Sequence, residues 1–242
     1  MKFRLSVLAA GATLVAFFGL FLWLAPSAQA QLTLDVVACD WPAGSVVAGT
    51  DVSTSPGATP PGTPCTVRWG TDITNGQSGL DFLGSAPQLV TPGVAFGIGT
   101  LFHLNNEIAF GTHATSAVLE LELTLSDGVS SIMTPPIPFT FSIDETLNNP
   151  PAPACCDDII TFSAPPGPVA FSLGGVTYAL ELLGFGTPPQ GSFVSPEGGT
   201  NDIELFAQIV LIPTPEPGTL LLFATGLLGL AAHRRKRMLA VR

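Results

Sequence analysis

The stretch Ala117-Val118-Leu119-Glu120-Leu121-Glu122-Leu123-Thr124-Leu125 alternates between apolar and polar side chains. A period of two is the repeat of a β-strand, so Leu119, Leu121, Leu123 and Leu125 share one face while Glu120, Glu122 and Thr124 share the other. One face is expected to be buried and the other wet. Ser126-Asp127-Gly128 follows with turn chemistry. Comparable strand-like runs cover Leu32 to Cys39, Cys65 to Trp69, Val94 to Phe102, Ile137 to Ile143, Ile159 to Phe162, Val169 to Leu173, Val176 to Phe185 and Ile203 to Ile212. No segment between them has a capped helical period. About nine strands separated by Gly, Pro, Asn and Asp predict an all-β domain, an antiparallel β-sandwich or jelly roll.

Charge is distributed as unevenly as hydrophobicity. The chain has 242 residues, of which 46% are apolar and 11% charged, with a formal net charge of −10. All 18 carboxylates fall between Asp35 and Glu216, where Arg68 is the one Lys or Arg, leaving that stretch at −17 with histidines neutral. Such a surface opposes nucleic acid binding, which needs basic groups to displace counterions from phosphates, and it equally opposes docking on anionic lipid. Residues 31–212 are long enough to bury a core of their own.

The two ends read as address labels. Residues 1–30 open with Lys2 and Arg4, continue through an apolar run from Leu5 to Leu24 and close on Ala28-Gln29-Ala30. Small side chains at Ala28 and Ala30 fit signal peptidase cleavage before Gln31, which implies export through the Sec translocon. The other end, 213–242, carries Pro215-Glu216-Pro217, an apolar stretch over 219–232 and a basic tail, 233–242, containing Arg234, Arg235, Lys236 and Arg237. Fourteen helical residues reach about 21 Å against a hydrocarbon core of about 30 Å, so a short transmembrane helix with a cytoplasmic basic end is expected there. Flanked by this helix and the N-terminal signal helix, the β-domain would hang outside the membrane.

The combination of Pro215-Glu216-Pro217, a short apolar helix and an Arg-rich tail resembles the PEP-CTERM sorting signal of Gram-negative bacteria. The resemblance implies an exosortase as processing partner, transient anchoring in the inner membrane, and delivery to the cell envelope or extracellular matrix of bacteria that make exopolysaccharide. Glu216 would be the recognised residue. Pro215 and Pro217 join neither a helix interior nor a sheet ladder, which leaves Glu216 on exposed extended backbone.

Within the β-domain, a second set of signals runs through Val67-Arg68-Trp69-Gly70, Gln77-Ser78-Gly79-Leu80, Leu101 to Ile108, Phe139 to Asn148, Cys156 to Phe162, Gly175 to Phe185 and Glu197 to Leu211. Their order resembles the choice-of-anchor K family, which overlaps the THxN family, over residues 65–212. Phe102 stands where the T-H-x-N element has its threonine, ahead of His103-Leu104-Asn105, and Glu145-Thr146-Leu147-Asn148 matches an E-T-x-N element. The resemblance implies an extracellular β-rich domain and no known reaction.

Cysteine usage agrees with export. Cys39, Cys65, Cys155 and Cys156 allow three pairings. We favour Cys39 with Cys65, which would close the Pro/Gly-rich excursion from Thr54 to Pro64 between two strands. Cys155 and Cys156 are left as a vicinal bridge or two thiols, beside Asp157 and Asp158, which would raise rather than lower a thiol pKa.

Several residues invite chemistry. Glu120 and Glu122, at i and i+2 on one strand face, stand about 6.5 to 7 Å apart, a separation that paired glycosidase acids use. Thr124 and Leu125 occupy the places where a third carboxylate would be expected. His103, with Asn105, Asn106, Glu107 and His113, suggests either a metal ligand or, more simply, a turn held by local hydrogen bonds. Asp144-Glu145, Asp157-Asp158 and Asp202 with Glu204 offer hard oxygen ligands for calcium, without matching a calcium-loop motif. Trp41, Trp69 and Tyr178 would make either a sugar-stacking platform or ordinary core. No G-x-S-x-G elbow, H-E-x-x-H helix or phosphate-cradling loop is present. The expectation is a non-enzymatic envelope or biofilm-matrix protein with no cofactor beyond calcium, associated with exopolysaccharide. The alternatives are a secreted jelly-roll glycosidase and a carbohydrate-binding module.

Overall fold

The computed structural model describes residues 31–56, 62–146, 157–162, 167–213, 218 and 222–230. The signal segment with Ala28 and Ala30, the Cys155-Cys156 pair, Pro215-Glu216-Pro217 and the basic run Arg234 to Arg237 lie outside the described residues. Among those described, fifteen strands follow in chain order: β1 (Leu32–Asp40), β2 (Val46–Val47), β3 (Ser53–Ser55), β4 (Cys65–Trp69), β5 (Ser78–Gly84), β6 (Gln88–Val90), β7 (Ala95–Asn105), β8 (Ser116–Ser126), β9 (Ser131–Met133), β10 (Ile137–Asp144), β11 (Asp158–Phe162), β12 (Val169–Leu173), β13 (Val176–Phe185), β14 (Ser192–Ser195) and β15 (Gly199–Leu211).

They pair antiparallel into two curled sheets. The first runs β14-β11-β10-β8-β1-β6, with β2 and β9 also on β8, and the second runs β12-β13-β15-β7-β5-β4-β3. Strand β8 organises the first sheet. Along one flank β1 covers 120–126 and β2 covers 116–117, and along the other β10 covers 116–121 and β9 covers 124–126. Its burial alternates over all eleven residues, with Leu119, Leu121, Leu123 and Leu125 fully buried as the period-two reading expects.

The inner faces of the two sheets share one core. Leu34, Leu121, Phe141 and Phe162 come from the first sheet, and Val67, Phe82, Leu101 and Phe185 from the second. Phe185 stacks on Phe141 with ring centroids 6.0 Å apart and meets Phe162 edge-on at 5.9 Å. Each buried Leu or Phe contributes about 1.5 to 3 kcal/mol by leaving water. The sandwich closes because neither sheet can hide its apolar face alone.

All nine expected strands are present. Strand β5 was not expected, because its two glycines weaken the strand signal. Both are required by close approach. A side chain at Gly79 would collide with the Val67 carbonyl and the Arg68 side chain, and one at Gly84 with the Val37 carbonyl. With Gly79 bare, Arg68 reaches across to Asp81, two residues along β5, in an ion pair.

The favoured disulfide, Cys39 to Cys65, is present, with Cα atoms 5.9 Å apart. It joins β1 of the first sheet to β4 of the second, so it clamps the sandwich as well as closing the excursion. The expected membrane helix over 219–232 lies only partly within the described residues. Within it, residues 222–230 are helical. Among the described residues no helix is long and apolar enough to cross a membrane.

Replacing Cys39 and Cys65 together by Ala removes a cross-link between positions 26 apart and is expected to lower the unfolding free energy by about 3.5 kcal/mol on the chain-entropy model. Denaturant titration of the exported protein checks this, and an unchanged midpoint would show that the clamp contributes nothing.

Candidate functional site

Two places gather polar chemistry, one on the surface and one in the interior. On the outer face of the first sheet, Ala38, Asp40, Glu120, Glu122 and Pro136 line a groove of about 210 Å³. Register explains it. Asp40 stands directly opposite Glu120, and Ala38 opposite Glu122, on the face that β8 turns away from its leucines. The third carboxylate that the chain order of β8 withholds is thus supplied across the ladder by Asp40. Among the described residues no Lys, Arg or aromatic ring lines the groove. It can hold cations or hydrogen-bond hydroxyls, but it offers a sugar ring no stacking surface.

Of the two readings of the aromatics, ordinary core is the one the structure bears out. Trp41, Trp69 and Tyr178 are each at most 1% exposed, so they belong to the core. The Trp69 indole is nonetheless employed, donating its Nε1–H to Glu145 Oε2 at 3.1 Å.

That bond belongs to the interior cluster. Strand β7 carries His103 and Asn105, both buried, and His103 lies in ring contact with Trp69 of β4, centroids 6.3 Å apart. Facing them, the first sheet contributes Asp158 of β11, Ser195 of β14 and Glu145 just beyond β10. His103 Nδ1 lies 2.7 Å from Ser195 Oγ, Asn105 donates to the Ser195 carbonyl at 2.8 Å, and Asn201 of β15 donates to Ser195 Oγ at 2.9 Å. All these bonds cross from the second sheet to the first. Asp158 Oδ1 accepts the Thr146 backbone N–H at 2.8 Å. Its other oxygen, Oδ2, stands 3.9 Å from His103 Nε2, beyond hydrogen-bond reach, and neither atom has a hydrogen-bond partner.

Desolvation sets the electrostatics. Burial pushes Asp158 up to about 8, against the lowering pull of the Thr146 N–H, and nearby Glu145 and Glu197 push the same way. Burial likewise lifts Glu145 to about 7, opposed by the Trp69 hydrogen bond, and drives His103 down to about 4. Glu197 is also raised, chiefly by burial, with Glu107 and Asp157 adding like charge. Uncharged forms are favoured throughout, as expected where carboxyls are enclosed without cations.

Several sequence expectations are redistributed by this geometry. His103 and Asn105 lie on a strand rather than in a local turn, and their partners are distant in sequence. The calcium candidates separate: Glu145 and Asp158 meet, Asp144 is exposed on β10, and Asp202 and Glu204 are exposed on β15. Among the described residues no three His, Cys, Asp or Glu side chains are placed to hold a metal ion. Ser195 and Asn201 were not anticipated. Ser195 is 92 residues from His103, so no local spacing signals the pair.

The described chain is therefore a two-sheet β-protein with an acidic exterior, followed by a separate C-terminal address. That address is specific: residues 213–236 match the PEP-CTERM protein-sorting motif. The match takes in Pro215, Glu216, Pro217, Arg234, Arg235 and Lys236, and it marks an exported protein processed by an exosortase in association with the membrane. No curated protein matches the chain.

Like charges opposed on neighbouring strands destabilise a sheet. Glu120→Gln is therefore expected to raise stability by about 0.2 to 1 kcal/mol at low salt, with the gain shrinking as salt screens Asp40. Thermal unfolding at two ionic strengths checks this; a loss of stability would mean that Glu120 makes a favourable contact.

Proposed function

We propose that this protein is a non-enzymatic component of the cell envelope or exopolysaccharide matrix of a Gram-negative bacterium. It is exported through Sec, cut by signal peptidase before Gln31, held briefly at the inner membrane and released by an exosortase acting near Glu216. The observation that carries the reading is the sorting motif at 213–236 placed after an acidic, disulfide-clamped β-domain. The charge of −17 over residues 35–216 keeps the released domain soluble and lets divalent cations bridge it to acidic polymer. The domain itself we read as choice-of-anchor K-like. In support, the segments carrying that resemblance, around Trp69, His103-Leu104-Asn105 and Glu145-Thr146, contribute side chains to the same buried cluster.

Intact mass of the protein recovered from envelope or medium tests this reading. The expected mass corresponds to Gln31 through about Pro217, plus any attached group, and Glu216→Ala is expected to accumulate in the membrane at higher mass. Recovery of a wild-type species that still holds Arg234 to Arg242 would overturn the processing step.

The groove favours one second reading, a secreted glycosidase acting on exopolysaccharide through Glu120 and Glu122 with Asp40 beside them. Release of reducing sugar from the producer's own polymer, compared with Glu120→Gln and Glu122→Gln, decides it. We expect no release above background from any of the three. Release that disappears in the variants would establish the enzyme.

A further inference from the structure

The interior cluster encloses Asp158, with Glu145 and Glu197 half-buried beside it, and among the described residues the groups facing Asp158 and Glu145 bring no fixed positive charge. Strand β7 contributes His103, the loop after it Glu107, strand β4 the neutral indole of Trp69, strand β14 Ser195, and the start of β11 Asp157. Arg68 is the one Lys or Arg between Asp35 and Glu216, and it is engaged with Asp81. Asp158 and His103 are each fully buried, and Asp158 Oδ2 and His103 Nε2 face one another at 3.9 Å without hydrogen-bond partners. Carboxyls enclosed in this way are neutralised either by protons or by a bound cation. No three metal-ligating side chains are placed together among the described residues, which favours protons.

We propose that this cluster is a proton-held latch between the two sheets: Asp158 and Glu145 take up protons as the sandwich closes, and losing them at mildly alkaline pH opens this end of the fold. An unfolded chain releases these protons near pH 4, whereas the folded protein holds them to about 7 for Glu145 and about 8 for Asp158. Stability is therefore full below pH 4 as far as these groups are concerned, falls as pH rises from there, and is fully lost once pH has passed through about 7 for Glu145 and about 8 for Asp158. His103 works in the opposite direction, withdrawing stability only as pH falls from about 6.5 towards 4. From pH 5 to 8 the two carboxyls together outweigh it. The opening is local, because the hydrogen bonds converging on Ser195 tie β14 to β7 and β15.

Hydrogen exchange of the exported protein, corrected for intrinsic rates and followed from pH 5 to 8.5, tests the latch, with the Glu145 contribution to the slope expected below pH 7 and that of Asp158 up to pH 8. The opening equilibrium of β11 and β14 amides is expected to rise by up to tenfold per pH unit for each proton released, while amides of β12 at the far edge of the second sheet stay constant. Glu145→Gln keeps an acceptor for Trp69 and removes a titrating group, so its profile is expected to flatten. Asp158→Asn is expected to flatten it further where that variant folds, and Glu145→Gln decides the matter where it does not. A pH-independent profile in the wild type, or an unaltered slope in Glu145→Gln, overturns the proposal. So does suppression of opening at pH 8.5 by millimolar calcium or zinc, which would identify a cation site instead.

Discussion

The apolar seam between the two sheets is the constraint on which the rest depends. Strand β8 presents a fully buried leucine at every second position from Leu119 to Leu125 and a polar residue at each one between. A slip of one residue in its pairing would bring Glu120 and Glu122 into the core and put the leucines in water. That cost fixes the register of β1 and β10 on either side. The register in turn puts Asp40 against Glu120 and builds the acidic groove. The disulfide from β1 to β4 and the Phe141, Phe162 and Phe185 rings act on a geometry the seam has already set.

Carboxylates are managed in two ways in this protein. Outside, they face solvent and give a strongly negative surface. Inside, Asp158 and Glu145 are enclosed with a histidine whose own charging is suppressed by burial. Cross-sheet hydrogen bonds from Trp69, Asn105 and Asn201 offset part of the cost of burying their polar partners. On the latch proposed above, this end of the sandwich follows the proton concentration around the exported protein.

The address and the cargo obey different physics. The C-terminal label is read by an enzyme, and its information lies in a short linear order of Pro215-Glu216-Pro217, apolar residues and basic residues. The cargo depends on contacts between residues far apart in the chain. The label therefore identifies the route of this protein, and the task belongs to the cargo.

Local pattern was enough for whatever depends on near neighbours in the chain. Alternation gave the nine principal strands, small residues and proline gave the turns, and linear order gave the sorting signal. The preferred pairing of Cys39 with Cys65 was also legible, because it joins two recognisable strands. Tertiary structure alone decided the rest. Strand β5 was hidden because Gly79 and Gly84 answer to neighbouring strands rather than to strand propensity. Trp41 and Trp69 read more simply as core than as a surface platform, but an aromatic ring serves either until the opposite sheet covers it. Asp40 reaches Glu120 only through the ladder between β1 and β8, and His103 reaches Ser195 and Asp158 only once the two sheets close. Strand periodicity tells which face a side chain leaves from. What it meets there is decided by the packing of elements that the chain brings together from far apart.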